Sequence, residues 1–358
     1  MRLLVTGGAG FVGSNLVAYL AGRHPDWHIT VLDALVYSGR VENIPRDIRE
    51  SGRFELVVGD VRDAMLAADL LRNADAVVHL AAQTHVDRSI ADATPFVMTD
   101  VHGTQVMLDA ARRRAVARFI HMSTSEVYGT ARGVPITEEH PLEPASPYAA
   151  AKAGADRLAY SYWRTYGLPV VILRSFNIYG PRQHVEKMNP LFITNALDGK
   201  PLPVYGDGSA TRDWLHVDDV CRAIEATLAA DISELAGEAV NLGTGRETSA
   251  VGMARMILAH LGLPEERVSF VADRPGHVTR LCSSVSKARQ LLSWAAQVPL
   301  EPGLARTIDW YAANEEWWRP LAKQGDALGR IGLGNSRDGG ESVGPSPVLA
   351  VDGTTAHR

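Results

Sequence analysis

The sequence contains few cysteines and no long hydrophobic run. Its 358 residues include only Cys221 and Cys282, which are too few for a disulfide framework and too far apart for a zinc-ligand motif. No uncharged apolar stretch approaches the roughly 18 residues of a membrane span. The N-terminus lacks the basic, apolar and small-residue zones of a signal peptide. We therefore expect a cytoplasmic protein without a membrane partner and without a metal.

The sequence also lacks an excess of basic residues. Lys and Arg together number 36 and Asp and Glu 41, so the formal net charge is −5. Such a balance offers no broad attraction for nucleic acid, which we therefore do not expect as a partner. The hydrophobic content of 46% and the charged content of 22% are globular values that exclude wholesale disorder. An anionic ligand would have to be held by local groups.

Short apolar segments alternate with segments of helical length in the first half of the chain. The apolar, β-branched segments lie at residues 3–6, 29–32, 54–58, 76–80, 119–122 and 170–173. Helical periodicity covers residues 11–21, 64–71, 95–114 and 147–166. This alternation predicts an α/β fold, in which a Rossmann-type, doubly wound parallel sheet is covered by helices on both faces.

The pattern changes after about residue 179. Residues 1–178 form the predicted first domain, and residues 179–324 a smaller mixed α/β lobe. In that lobe, short apolar runs lie at 203–205 and 213–217, and helical patterns at 220–229, 251–261 and 304–318. The pattern leaves open whether some of these segments return to the first sheet. Residues 325–358 contain 8 glycines, and we predict that this tail is disordered.

A glycine-rich turn follows the first predicted strand. The segment GGAGFVG at residues 7–13 contains Gly-x-Gly-x-x-Gly and leads into a predicted helix. Its small residues let the backbone approach a pyrophosphate, whose charge the helix N-terminus stabilises. Asp33 ends the second strand 20 residues after Gly13, where a carboxylate binds a ribose and repels a 2′-phosphate. The pattern favours NAD over NADP; the alternative is a tight turn that serves packing alone.

Polar side chains also cluster where the fifth predicted strand ends. Thr124, Ser125 and Glu126 follow that strand, and in open α/β sheets ligands bind at this edge. Tyr148 and Lys152 lie four residues apart near the start of a predicted helix, on one face of it. An ammonium group favours a phenolate, so we predict that Lys152 lowers the pKa of Tyr148 and makes it a base. Surface helices also carry such pairs by chance.

The predicted cofactor-binding residues come from the glycine-rich turn, from the ends of the following strands and from the Tyr-x-x-x-Lys pair. Asp60 ends the third strand. We expect it either to contact the adenine or to lie on a surface loop. The full set is Gly7, Gly10, Phe11, Val12, Gly13, Asp33, Asp60, Val61, Leu80, Ala81, Ala82, Tyr148 and Lys152.

Longer sequence blocks resemble those of one enzyme family. They are TGGAGFVGS, HLAAQTHVDRSI, STSEVYG, SPYAAAKAG, NIYGP, EKMNP, GDGSATRDWLHVDD and RPGHVTR. With these blocks, residues 1 to about 311 resemble the extended short-chain dehydrogenases/reductases and, among them, the dTDP-glucose 4,6-dehydratases. HVDRSI, EKMNP and RDWLHVDD are the most selective. The resemblance implies bound NAD, a nucleotide-sugar substrate, and a homodimer formed through the helices at 95–114 and 147–166.

The resemblance also implies a role for each catalytic residue. Tyr148 takes the proton of the sugar 4-hydroxyl, which Thr124 hydrogen-bonds, while hydride passes from C4 to NAD. Glu126 then removes the C5 proton, the 6-hydroxyl leaves as water, and hydride returns to C6. Lys152 hydrogen-bonds the nicotinamide ribose. From dTDP-glucose, this sequence of steps forms dTDP-4-keto-6-deoxyglucose.

The same resemblance implies that the second lobe binds the nucleotide sugar. The guanidinium of Arg212 suits a diphosphate because it can bind two phosphate oxygens at once. We expect the HVDRSI segment to form a wall of the sugar site, with Arg88 in an ion pair. The residues implied to contact the substrate are His85, Thr124, Asn177, Glu186, Lys187, Arg212, Asn241, Arg274 and His277.

Two residues depart from the family pattern. Ser125 stands where these dehydratases usually carry the aspartate that protonates the departing 6-hydroxyl, and Asp100 stands where they carry asparagine. GDP-mannose 4,6-dehydratases also carry Ser-Glu here, and UDP-glucuronate decarboxylases also carry STSEVYG. The sequence therefore leaves three alternatives open: a UDP-glucuronate decarboxylase, another nucleotide-sugar 4,6-dehydratase, and an NAD-binding regulator without turnover.

Overall fold

A computed structural model describes residues 1–327. The strands are β1 (Arg2–Thr6), β2 (His28–Asp33), β3 (Phe54–Val58), β4 (Ala76–His79), β5 (Arg118–Thr124), β6 (Val170–Ser175), β7 (Asn177–Tyr179), β8 (Leu202–Tyr205), β9 (Thr211–His216), β10 (Ala239–Leu242), β11 (Glu247–Ser249) and β12 (Val268–Val271). The α-helices are α1 (Phe11–Arg23), α2 (Arg46–Arg49), α3 (Ala64–Leu70), α4 (Val86–Ala91), α5 (Thr94–Phe96), α6 (Thr104–Arg113), α7 (Pro147–Tyr166), α8 (Met188–Leu197), α9 (Val217–Ala229), α10 (Ile232–Leu235), α11 (Ala250–His260), α12 (Ser286–Leu292), α13 (Leu300–Ala313) and α14 (Glu315–Ala327).

Seven parallel strands form the central sheet, in the order β10-β6-β5-β4-β1-β2-β3. Every residue of β4 and β6 is buried, because helices cover both faces of a parallel sheet, and the two strands are apolar except at their carboxyl ends. Apolar residues of α1 and α9 pack on one face, and those of α3 and α6 on the other. The prediction of a Rossmann-type, doubly wound sheet is confirmed.

The strand order reverses at β1, whose neighbours are β2 on one side and β4 on the other. Chains leave β1 and β4 in opposite directions at this point, so a crevice opens beyond the carboxyl ends of the strands. The glycine-rich turn follows β1 directly. The fold therefore places that turn at the edge where ligands bind.

A smaller lobe contains a three-stranded sheet, β11-β9-β7, and a two-stranded sheet, β12-β8. Its core joins apolar side chains of α8, α11, α13 and α14, including the fully buried Trp318. The lobe is not continuous in sequence, because β10 pairs with β6 of the central sheet and α9 packs on α1. Segments after residue 179 thus return to the first domain.

Three predicted elements differ in detail. The helix expected at 95–114 is α5, a π-helical turn (Val97–Gly103) and α6 in succession. The helix expected at 304–318 is divided at Asn314 into α13 and α14. The prediction of disorder from residue 325 is wrong for residues 325–327, which continue the helix that Trp318 and Leu321 anchor in the core. The remainder of that predicted tail lies outside the described residues.

Within residues 1–327, no helix combines the length and the apolar composition that crossing a membrane requires.

Candidate active site

A cavity of about 560 Å³ opens beyond the ends of β1, β2 and β4. The residues predicted from the glycine-rich turn and the strand ends all line it: Gly7, Gly10, Phe11, Val12, Gly13, Asp33, Asp60, Val61, Leu80, Ala81 and Ala82. We call it the cofactor cavity. Asp60 reaches its wall while paired with Arg62 at 2.6 Å.

Close backbone packing explains the glycines of this cavity. Gly7 adopts a φ of +68°, and its N–H donates to the carbonyl of Leu32 at 2.8 Å. A Cβ added to Gly13 would lie 2.2 Å from the carbonyl oxygen of Gly7 and 2.5 Å from the Cα of Gly8. Helix α1 begins here without a side-chain cap, so its first N–H groups face the cavity region unmatched by a side chain. The turn therefore fits a pyrophosphate.

Asp33 is held rigidly at the end of β2. One carboxylate oxygen accepts a hydrogen bond from the N–H of Ala9 and the other from the N–H of Leu35, both at 2.9 Å. Burial raises the pKa of Asp33, and these two hydrogen bonds oppose the rise. Each oxygen keeps a second lone pair with which the side chain can accept a ribose hydroxyl.

A second cavity of about 370 Å³ adjoins the first, and we call it the substrate cavity. The two share Phe11, Val12, Leu80 and Ala82 in their walls. The substrate cavity brings together all five predicted catalytic residues and eight of the nine predicted substrate contacts. These residues are His85, Thr124, Ser125, Glu126, Tyr148, Lys152, Asn177, Glu186, Lys187, Arg212, Arg274 and His277.

The end of β5 supplies three of the catalytic residues. Thr124 is the last residue of the strand, and its hydroxyl accepts the N–H of Glu126 at 3.3 Å, which caps the short turn Ser125–Tyr128. This cap turns Ser125 and Glu126 into the cavity instead of extending the strand. Glu126 lies 4.0 Å from the guanidinium of Arg212, so a carboxylate and a cation face each other there.

Tyr148 and Lys152 lie in the first turns of α7, which Ser146 caps by accepting the N–H of Ala149 at 3.2 Å. The ammonium of Lys152 donates to the carbonyl of Met122 at 2.7 Å. Burial raises the pKa of Tyr148, the negative charge of Asp100 raises it further, and a hydrogen bond with Thr124 opposes both. The prediction of a lowered pKa is therefore wrong for the protein alone, because burial and the neighbouring negative charges outweigh the hydrogen bond.

Charged side chains of α4 and the segment before α8 meet at the cavity wall. Glu186 pairs with Arg88 at 2.6 Å, which confirms the predicted ion pair, and its other oxygen lies 3.7 Å from His85. Burial lowers the pKa of Lys187 to about 8, and its ammonium donates to the carbonyl of Thr84. The HVDRSI segment forms helix α4, for which His85 is the cap.

Several polar atoms in this wall lack a protein partner. The Asn177 side-chain oxygen, one Glu186 carboxylate oxygen and the Arg274 Nε are buried and make no hydrogen bond with described residues. Arg274 also pairs with Asp87 at 3.2 Å, and His277 hydrogen-bonds Asp273 at 2.6 Å. Buried polar groups are normally satisfied, so the unmatched atoms fit a polar ligand such as a sugar diphosphate.

The structure does not bring Asn241 to either cavity. Asn241 lies in β10 and is fully buried, and its amide accepts from Tyr128 at 2.8 Å and donates to the carbonyl of Ile136 at 3.0 Å. The implied contact with the diphosphate is therefore wrong, because both ends of the amide are used inside the protein. Its role is to anchor the turn that contains Tyr128.

Some lining residues were not predicted. Tyr37 and His184 line the cofactor cavity with their rings 4.4 Å apart, and Tyr205 and Trp214 line the substrate cavity. Tyr37 has a φ of +55°, a conformation that the sequence does not signal. The aromatic residues at the ends of the short runs 203–205 and 213–217 are the signal by which the other two could have been found.

Known proteins resemble this chain over most of its length. The sequence profile of the family described as GDP-mannose 4,6 dehydratase matches residues 4–307. A dTDP-glucose 4,6-dehydratase of Streptomyces niveus is 46% identical over 336 residues, which are 93% of this chain and 99% of that protein. The chain belongs to the dTDP-glucose 4,6-dehydratase family.

Solved structures of this family and of a neighbouring one have the same fold. DesIV, the dTDP-glucose 4,6-dehydratase of Streptomyces venezuelae solved with NAD bound, has a TM-score of 0.86 and 49% identity over 90% of this chain and 100% of that chain. A UDP-glucuronic acid 4-epimerase of Bacillus cereus has a TM-score of 0.82 and 32% identity over 87% and 99%. The overall fold alone thus does not separate the two chemistries, and the site residues must.

Proposed function

We propose that this protein is an NAD-dependent dTDP-glucose 4,6-dehydratase. The observation that supports it most is that Thr124, Glu126, Tyr148 and Lys152 line one cavity, which shares its wall with a glycine cradle. Several relatives that are 43–46% identical over about nine-tenths of the chain are dTDP-glucose 4,6-dehydratases. We assign NAD to the cofactor cavity, whose lining comes mainly from residues 1–178, and the nucleotide sugar to the cavity that the lobe 179–324 completes.

The cofactor cavity supplies the groups that a dinucleotide needs. NAD, when bound, supplies an acceptor for the hydride of sugar C4 and a donor of hydride for C6. The backbone from Gly7 to Gly13 and the start of α1 would hold the pyrophosphate, and Asp33 would hold the adenosine ribose. Lys152 would hold the nicotinamide ribose. A carboxylate at Asp33 disfavours the 2′-phosphate of NADP.

Each catalytic side chain then either transfers one proton or makes one hydrogen bond to the substrate. Tyr148 removes the proton of the 4-hydroxyl, and Thr124, which lines the same cavity, orients that hydroxyl. Oxidation at C4 makes the C5 proton acidic, and Glu126 removes it. Arg212 lies 4.0 Å from Glu126, so a guanidinium faces the carboxylate that acts as the base.

Ser125 lies at the position from which the 6-hydroxyl is protonated in the family pattern. A hydroxyl is a far weaker acid than a carboxyl, so we propose that Ser125 orders a water molecule or relays a proton to the leaving group. Ser125 is buried, and it lines the substrate cavity next to Glu126.

Ser125→Asp should leave kcat unchanged or raise it, by up to about 10²-fold, because a carboxyl protonates the leaving hydroxyl directly. The measurement is steady-state kcat with dTDP-glucose. Ser125→Ala is the matched variant: it has neither the hydroxyl nor the carboxyl, and its kcat should be lower than that of the parent protein. A collapse of activity in Ser125→Asp would show instead that the serine is part of the proton path.

The reaction itself is tested by the mass of the product. The purified protein is incubated separately with dTDP-glucose, UDP-glucose, GDP-mannose and UDP-glucuronate. We expect the loss of one water from dTDP-glucose. Loss of carbon dioxide from UDP-glucuronate would make the protein a decarboxylase, and no change in any donor would favour an NAD-binding regulator.

We further propose a homodimer in the cytoplasm. The helical segments 94–113 and 147–166 expose large apolar side chains, among them Val97 at 49%, Tyr160 at 36% and Tyr166 at 55%. Such side chains favour an interface between two copies. The two buried free cysteines are consistent with a reducing compartment. Light scattering of the eluted protein should give twice the chain mass, and Val97→Glu should lower it.

A further inference from the structure

Asp100 is a buried carboxylate in the π-helical turn Val97–Gly103, which packs against α7. The residue is 1% exposed, and one oxygen accepts the N–H of Gln83 at 2.7 Å. The other oxygen is buried and has no hydrogen-bond partner among the described residues. A π-helical turn inside an α-helix is rare and frequently lies at a functional site. The proposed function leaves this carboxylate without a role.

The charges around Lys152 make Asp100 unusual. Lys152 is buried and uses its ammonium on a backbone carbonyl, which leaves its positive charge without a paired carboxylate. Asp156, the other buried acid that acts on Lys152, is already paired with Arg174 and Arg157. Asp100 makes no ion pair with any residue between 1 and 327. It is therefore the acid that remains to balance Lys152.

The negative charge of Asp100 also acts on Tyr148, which lies on the helix that the π-helical turn packs against. When Tyr148 becomes a phenolate, the buried site holds one cation, Lys152, and two acids that can each carry a negative charge. Two anions in a buried site repel each other strongly, and groups coupled in this way share their protons. A phenolate at Tyr148 therefore forms most readily when Asp100 is protonated.

We propose that Asp100 is a positioning residue whose negative charge opposes the ionisation of Tyr148, so that the protonation of Asp100 controls how readily Tyr148 accepts the substrate proton. The inference deepens the proposed function, since it rests on Tyr148 being the base. The asparagine found here in the family pattern is always neutral, so this chain carries a titratable group where the family pattern has none.

Lys152 is the charged side chain that acts on Asp100. Burial raises the pKa of Asp100 to about 7, against the opposing effects of Lys152 and the Gln83 N–H. His79 of β4 hydrogen-bonds Thr104, whose hydroxyl donates to the carbonyl of Asp100. Burial lowers the pKa of His79 to about 3, so that ring is neutral when Asp100 titrates.

Other charged groups near the site do not change this balance. Burial lowers the pKa of His121 of β5 well below its usual value, so this ring is neutral as well. On the π-helical turn itself, His102 acts on Asp60. Glu126 also acts on Tyr148, and it is the same in every variant used below.

Asp100→Asn should lower the pKa of Tyr148 by about one unit or more, because it removes a neighbouring negative charge. Tyr148 is titrated by tyrosinate absorbance in the NAD-loaded protein, as the difference from Tyr148→Phe in the same background. The acid limb of the pH profile of kcat/KM should move to lower pH by the same shift. Asp109→Asn, an Asp-to-Asn change in α6 outside both cavities, should titrate like the parent protein.

A folded Asp100→Asn protein whose Tyr148 titrates like the parent's would overturn the proposal, whatever its activity. If Asp100→Asn fails to fold, Asp100→Ser removes the same charge, and an unshifted titration there would overturn it equally. A shifted titration in a protein that turns over no donor would leave this inference standing and would count against the proposed function alone.

Discussion

Glu126→Gln abolishes formation of the dehydrated sugar but preserves the first oxidation. An amide cannot remove the C5 proton, whereas Tyr148, Lys152 and Thr124 are unchanged and still act on the 4-hydroxyl. Removing a positioned base typically costs about 10²–10⁴-fold, so the release of 4-keto-6-deoxy product should fall at least that far. The absorbance of reduced nicotinamide, read after mixing with dTDP-glucose, reports the oxidation, and mass spectrometry reports the product.

The matched control is Glu50→Gln, which changes an exposed carboxylate that pairs with Arg46 on the surface. It should turn over like the parent protein. Unaltered product formation by Glu126→Gln would show that Glu126 is not the base. Loss of the oxidation as well would show that the carboxylate is needed before C5 is deprotonated. It would then act by pairing with Arg212 or by positioning the 4-hydroxyl.

Gly13→Ala should remove bound NAD from the purified protein and lower its thermal midpoint. The added Cβ would lie 2.2 Å from the Gly7 carbonyl oxygen and 2.5 Å from the Gly8 Cα. Both are backbone atoms that cannot rotate aside, so the cradle must open. Overpacking of this kind costs about 1–3 kcal/mol of unfolding free energy. The measurements are the NAD content after purification and the thermal midpoint with and without added NAD.

Gly22→Ala is the control for this prediction because it lies in the same helix, α1, and an added Cβ there meets nothing within 4 Å. It should retain NAD and raise the midpoint slightly, since alanine is the better helix former. Full retention of NAD by Gly13→Ala would mean that the cradle can widen without losing its ligand.

The strands and helices of the first domain could be predicted because their sequence patterns are local. The apolar run of β6 and the helix from Pro147 to Tyr166 lie where periodicity indicates, and the serine cap and proline mark where that helix begins. The division of the helix expected at 304–318 was missed. No glycine or proline marks Asn314, where the capping bond is to the carbonyl of Tyr311.

The site residues could be predicted where they lie together in one short motif, as in the glycine-rich turn and at the end of β5. Asn241 shows where this fails. It lies in a strand that returns from the second lobe to pair with β6, and its side chain is used by Tyr128 and Ile136. Partners more than a hundred residues away in sequence decide what such an amide binds.

The sequence alone determined the fold class, the NAD-type cradle and the family, because each depends on residue types at fixed local spacings. The tertiary structure decided the electrostatics of the site. Burial has the largest effect on the pKa of Tyr148, and the spacing of Tyr148 and Lys152 does not determine it. The π-helical turn packs on α7, so the charge of Asp100 acts on both side chains. Charges act through space and through the local dielectric, and only the folded chain defines either.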